Sequence, residues 1–210
     1  MKTLLIMRHG KSSWKNKDLK DHERPLSKRG LRNSRLMGEI IHEKELIPQK
    51  ILVSSSVRTT QTAQIFCEAI GYKGEIEALD SLYLAESEAY IAELRKLPDS
   101  IERVMVIGHN PGLEYLLQEI SGQIESLATS VIAFVSLPLD HWVDLDDKVA
   151  GELIEVWRPK ELRETEPEEE EEEPKEKAKE SGKEKARKEK PKEKVKEKVK
   201  AKPKKAEKKK

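Results

Sequence analysis

One cysteine in 210 residues, Cys67, has no partner for an internal disulfide. Aromatic residues make up only 4% of the chain, and no apolar run approaches the roughly 20 residues that a membrane-spanning helix takes. An N-terminal signal peptide is missing as well. Together these absences predict a soluble protein of a reducing, cytoplasmic setting without a membrane span. Histidine, cysteine and carboxylate residues nowhere fall at metal-ligand spacing, so neither a metal nor a cofactor is expected. A strong net charge is lacking too, with 41 basic residues against 40 acidic ones for a formal +1.

That balance conceals two unlike pieces. At 39% charged, the chain carries too many charges for a single compact domain of its length. From Glu161 onward lie 20 of the 41 basic and 16 of the 40 acidic residues, which leaves the first 160 residues at about −3 and the rest at about +4. Residues 1–160, with regular Leu, Ile and Val runs, are enough for one buried core. Residues 161–210 read as a disordered tail, acidic to Pro174 and Lys-rich from Lys175, with too few apolar side chains to offset the entropy of folding. As a polycation the Lys-rich part is suited to nucleic acid or acidic surfaces, with no aromatic interleaving for base readout. The plainer reading is a solvated spacer.

Within the body, strands and helices alternate. Thr3 to Met7 is apolar on both alternating faces, as a buried central strand is. Ser27 is placed to cap a helix carrying Leu31, Met37, Ile40 and Ile41, which Pro48 ends. Ile51 to Val53 is a second strand, and a hydroxyl-rich loop, Ser54 to Thr62, opens a helix that Gly71 stops. A third strand falls within Glu75 to Leu79 and a helix over Glu88 to Leu97. A fourth strand covers Val104 to Ile107 and a further helix Leu113 to Ile120. Val131 to Leu137 and Gly151 to Trp157 read as a terminal, antiparallel strand pair. Such alternation implies an α/β sheet covered on both faces, with ligands at the carboxyl ends of its strands.

Residues suited to phosphoryl chemistry stand at those strand ends. Arg8, His9 and Gly10 follow the first strand, Arg58 follows the second, and His109 follows the fourth. Phosphoryl transfer is catalysed by positioning and positive charge, and guanidinium groups hold phosphate through paired donors. Arg8, Arg24 and Arg58 are candidate clamps. His9 can attack in line if one ring nitrogen is unprotonated and the other is held by an acceptor such as a backbone carbonyl. His109 can donate to a phosphoryl oxygen or to the bridging atom. His22 and His141 read as surface or loop residues, His42 as exposed on its helix, and Trp14, Trp142 and Trp157 as packing groups.

Four motifs in this order resemble the histidine phosphatase superfamily, in its small phosphohistidine phosphatase, SixA-like branch, over about residues 2–158. They are Arg8-His9-Gly10, Arg24-Pro25-Leu26-Ser27-Lys28-Arg29-Gly30, the segment Ser54 to Thr62 with Arg58, and Gly108-His109-Asn110-Pro111. The resemblance implies a three-layer α/β/α sandwich around a mostly parallel sheet, the phosphoglycerate mutase-like fold. It implies His9 as nucleophile, Arg8, Arg58 and His109 as the rest of the phosphate pocket, and Arg24 as a substrate contact. Superfamily members that cleave phosphate esters use a carboxylic acid to protonate the leaving alkoxide. The corresponding region, Leu79 to Tyr90, has no clear match, although Glu86 and Glu88 are available; Asp21 is another candidate acid.

The expected activity is a metal-independent phosphatase with a phospho-His9 intermediate, acting on a phosphorylated protein bearing phosphohistidine. An imidazole leaves more readily than an alkoxide, which suits the missing acid. Arg8 to Trp14 also resembles the mutase signature, so a small phosphoester substrate or a phosphoglycerate mutase-like reaction is the alternative within this class. A scaffold or binding protein acting through its tail, with the pocket as a phosphoryl reader, is the alternative outside it.

Overall fold

Burial of alternate residues on both sides makes a strand central, and the strand β1 (Lys2–Arg8) is the clearest case: Leu4 to Met7 are fully buried. In the computed structural model, which describes residues 1–146 and 149–163, β1 is flanked by β4 (Arg103–Gly108) on one side and β5 (Ile132–Leu137) on the other. The remaining strands are β2 (Lys50–Ser54), β3 (Glu75–Leu79) and β6 (Glu152–Trp157), giving the sheet order β3-β2-β4-β1-β5-β6. β3, β2, β4 and β1 are mutually parallel, whereas β5 runs antiparallel to β1 and β6 antiparallel to β5. The terminal pair is thus antiparallel, as its alternating pattern suggests. The described residues belong to one unit of the chain; the expected tail from 164 on, including the unit Glu168–Lys210, lies outside them.

Each face of the sheet is closed by two helices, because odd and even strand residues point to opposite sides. Leu5, Met7, Ile51, Val53, Met105 and Ile107 pack with Met37 and Ile41 of α1 (Lys28–Glu43) and Phe66 of α2 (Val57–Ala69). Leu4, Ile6, Val104 and Val106 pack with Leu94 of α3 (Ser87–Leu94) and Leu113, Leu117 and Ile120 of α4 (Gly112–Ser121). The result is the expected three-layer α/β/α sandwich on a mostly parallel sheet.

Local signals act where the sequence places them. The Ser27 hydroxyl accepts from the Gly30 N–H at 3.1 Å and caps α1. Gly71, at φ 60°, ends α2, with its N–H and that of Tyr72 returning to the Glu68 and Cys67 carbonyls. Three details differ from the sequence reading. α1 stops at Glu43, ahead of Pro48, because Glu45 takes a left-handed φ of 57° and turns the chain. Its buried face runs through Gly30, Ser34, Met37, Gly38 and Ile41, and Leu31 is 39% exposed, because small residues let α1 lie close against the loop after β1 and against α2. Finally, Trp142 and Trp157 are packing groups, but Trp14 is 65% exposed.

Candidate active site

The parallel strands β2, β4 and β1 are neighbours, so their carboxyl ends deliver three loops to one place. Arg8 and His9 leave β1, Ser54 and the start of α2 with Arg58 leave β2, and His109 leaves β4. A cleft of about 270 Å³ forms there. Arg8, His9, Arg24, Arg58 and His109 all line it, with Lys11, Ser12, Trp14, Leu84, Asn110 and Thr129 completing the walls. Residues up to 121 positions apart in sequence, Arg8 and Thr129, thus meet in one cleft.

His9 is 9% exposed, and its Nδ1 lies 2.7 Å from the Gly10 carbonyl oxygen. A carbonyl only accepts, so Nδ1 carries the hydrogen and Nε2 keeps its lone pair. Burial foremost lowers the imidazole pKa to about 4, with Arg58, Arg8 and Arg24 adding to it against the hydrogen bond to Gly10. The Gly10 N–H donates to Thr62 Oγ1 at 2.9 Å, and that hydroxyl donates to the Arg58 carbonyl at 2.7 Å, so the loop after β1 is tied to α2.

His109 is 2% exposed and stands 5.1 Å from His9 between ring centroids. Its Nε2 is 2.8 Å from Ser54 Oγ, its Nδ1 is 3.4 Å from Arg58 Nη2, and its N–H donates to the Tyr90 hydroxyl at 3.2 Å. Burial first, then its coupling to His9 and the positive charges of Arg58 and Arg8, lowers its pKa to about 3, against the opposing pull of Asp21. Both histidines are therefore neutral in the ligand-free cleft at pH 7.

The arginines are oriented by oxygen atoms of the protein. Arg8 donates to the Leu127 carbonyl at 2.8 Å, and its buried Nε has no protein partner among the described residues. Arg58 donates to the Asp21 carbonyl at 2.7 Å and pairs with Asp21 Oδ2 at 3.0 Å. Arg24 donates to Asp21 Oδ1 at 2.9 Å, to Ser12 Oγ at 2.7 Å and to the Ser13 carbonyl at 3.3 Å, with its guanidinium lying 3.1 Å over the Trp14 ring. Asp21 therefore bridges two guanidinium groups and also accepts from the Tyr83 hydroxyl at 2.9 Å. Burial pushes the Asp21 carboxyl up, but the bonds from Tyr83, Arg24 and Arg58 outweigh it and hold the group below its ordinary value.

Of the three acid candidates, Asp21 stands behind the arginines as an ionised bridge, whereas Glu86, preceding α3, and Glu88, in its first turn, are exposed and do not line the cleft. Among the described residues no group of three or more His, Cys, Asp or Glu is gathered as for a metal ion, and no helix is long and apolar enough to cross a membrane. His141 and His42 are exposed, as the sequence suggests, but His22 is half-buried. It reaches Ser55 Oγ at 3.0 Å and meets the Tyr83 ring edge-on. Sequence reasoning missed Ser54, Tyr83, Trp14, Leu84, Asn110 and Thr129 as neighbours of the site. Only the hydroxyl run Ser54 to Ser56 and the motif containing Asn110 carried any signal for them.

Comparison with known proteins agrees with this geometry. The histidine phosphatase superfamily (branch 1) profile matches residues 4–83. An uncharacterised chloroplastic protein of Arabidopsis thaliana is 34% identical over 150 residues, covering 66% of this chain and 68% of its own. The phosphohistidine phosphatase SixA of Escherichia coli is 29% identical over 140 residues, covering 64% of this chain and 84% of its own. A solved structure of the protein histidine phosphatase SixA complexed with tungstate superposes with a TM-score of 0.67 at 27% identity, over 77% of this chain and 99% of that one. With two arginines and two histidines meeting at the ends of three parallel strands, the chain belongs to the histidine phosphatase superfamily and is structurally similar to its SixA phosphohistidine phosphatases.

Proposed function

We propose that this protein hydrolyses phosphohistidine on a protein substrate through a phosphoryl intermediate on His9, without a metal ion. The observation that carries the reading is the fixed imidazole of His9. Its Nδ1–H is spent on the Gly10 carbonyl, so the lone pair of Nε2 belongs to a ring lining a cleft whose other walls include three guanidinium groups. In the first step the Nε2–P bond forms as the bond from phosphorus to the substrate imidazole breaks, and that imidazole takes a proton from His109 or solvent. In the second, water attacks phosphorus, the His9–P bond breaks and inorganic phosphate leaves. Arg8, Arg24 and Arg58 supply the charge that the equatorial oxygens need in both steps.

The lack of an acid favours phosphohistidine over an ester as the substrate class. Among the described residues no Asp or Glu lines the cleft, and Asp21 is held ionised between two arginines, so an alkoxide would leave without a carboxylic acid from them to protonate it. An imidazole makes a smaller demand. The test is hydrolysis of an aryl phosphate in EDTA by the wild type and by His9→Ala, followed by competition among a phosphohistidine protein, a phosphoserine peptide and phosphoglycerate. Turnover that survives chelation, disappears in His9→Ala and prefers the phosphohistidine protein is expected. Undiminished activity in the variant removes His9 from the reaction, and preference for either ester replaces the substrate class by a phosphomonoesterase or mutase-like one.

A further inference from the structure

Ser54 is the last residue of β2, and β2 lies beside β4 in parallel register, with Val53 opposite Ile107. That register carries Ser54 to the level of Gly108, the last residue of β4, one position before His109, and the Ser54 and His109 side chains are both buried. The hydroxyl oxygen lies 2.8 Å from His109 Nε2. On the other side of the ring, Arg58 Nη2 lies 3.4 Å from Nδ1. A guanidinium has donors only, so the nitrogen it faces must present a lone pair. Neutral His109 then carries its hydrogen on Nε2, and Ser54 Oγ accepts it. The Arg58 contact thus selects the tautomer, and the Ser54 hydroxyl, which can either donate or accept, is placed to accept in it. The ring is also fixed through its backbone, whose N–H donates to the Tyr90 hydroxyl of α3.

We infer that Ser54 is a positioning residue that holds His109 in its Nε2–H form, and so makes Nδ1 the nitrogen that gives and retakes the catalytic proton. The inference rests on the reading of the cleft as a phosphatase. A bound phosphoryl dianion draws the Arg58 donors to itself and favours a proton on Nδ1, taken from solvent, while Ser54 keeps Nε2–H. In the first step the leaving group takes that Nδ1 proton as its bond to phosphorus breaks and the His9–P bond forms. In the second step the attacking water returns a proton to Nδ1 as its oxygen bonds phosphorus and the His9–P bond breaks. His109 ends as it began the cycle, and Ser54 accepts throughout. Ser54 has the orienting role that a third group has behind a catalytic base, with a neutral hydroxyl in place of a carboxylate. Among the described residues, the charged and titratable groups around His109 are Arg58 of α2, Arg8 and His9 of the β1 end, Asp21, and Tyr90 of α3 at its backbone N–H; Tyr83 meets the ring edge-on. Ser54 is the side chain placed on Nε2.

The test has one readout without substrate and one with it. Side-chain ¹⁵N spectra of histidine in the full-length protein should show the Nε2–H tautomer for His109, retained in Ser54→Thr and shifted in Ser54→Ala. Turnover of phenyl phosphate, whose leaving group needs a proton, should fall on the order of tenfold further in Ser54→Ala than turnover of nitrophenyl phosphate, whose leaving group does not. Ser54→Cys, of similar size but a weak acceptor, replaces the alanine variant if that one does not fold. An unchanged His109 tautomer, or equal losses on the two esters, overturns the inference. A wild type inert toward every phosphate, with the tautomer still shifting in Ser54→Ala, upholds the Ser54 contact and overturns the phosphatase reading.

Discussion

A neutral imidazole buried beside guanidinium groups resists protonation, and that has a measurable cost at low pH. The pKa of His9 is lowered from 6.5 to about 4 and that of His109 from 6.5 to about 3. Below pH 6.5 the unfolded chain binds protons that the folded chain refuses, so the stability from keeping these rings neutral is complete above pH 6.5. It is lost progressively as the pH falls toward the two folded values. Between pH 6.5 and 5 the loss is about 2 kcal/mol for each ring. Melting followed by circular dichroism should show a Tm that falls over this range in the wild type and much less in a His9→Gln, His109→Gln double variant; a flat wild-type profile would contradict buried neutral histidines. At this scale the sequence is legible where a residue's meaning follows from its place after a strand, as for Arg8, His9 and His109. It is silent where meaning depends on the course of a loop. Asp21 reads in sequence as an acid beside Arg24, and only the folded loop shows it bridging Arg24 and Arg58, while Tyr83 stands 62 positions from the carboxylate it serves.

At the scale of elements, the site depends on how closely α1 approaches the loop after β1. A Cβ on Gly30 would fall 2.3 Å from the Lys11 carbonyl oxygen, and one on Gly10 would meet Ser34 Oγ at 2.9 Å, so the helix and the loop touch through two glycines. The Ser27 N–H donates to that same Lys11 carbonyl at 2.8 Å, and backbone on both sides leaves little room to yield. Gly30→Ala is expected to displace the loop that carries His9, lowering stability by about 1–3 kcal/mol and raising the KM for an aryl phosphate. Urea unfolding and steady-state kinetics check the two effects, and wild-type values in both would show that the seam is looser than its distances imply. The strands and helices themselves follow from apolar period and cap residues, which are local. Sheet order and this contact are not local: the small-residue face of α1 has no hydrophobic signature, which is why Leu31 reads as core in sequence and is exposed in the fold.

At the scale of the whole molecule, burial among the described residues bears on where the folded body ends. Every residue that lines the cleft, and both packed faces of the sheet, come before residue 158, and Pro159 is the last buried position among the described residues. A chain ended after Arg163 is therefore expected to keep the Tm and the aryl phosphate turnover of the full-length protein. Loss of either in the truncated chain would move the domain boundary into the residues beyond. Composition places the boundary slightly earlier, between residues 160 and 161, since a core cannot be built from Glu and Lys. The shape of the cleft mouth, by contrast, left no trace in composition. Trp14 extends from it with its indole laid against Arg24, while Trp142 and Trp157 are enclosed in the sandwich. Of the three indoles, only one is both bathed in solvent and in contact with a cationic wall of the cleft. The protein thus carries a native fluorophore at its entrance, and titration with inorganic phosphate is expected to change the light it emits.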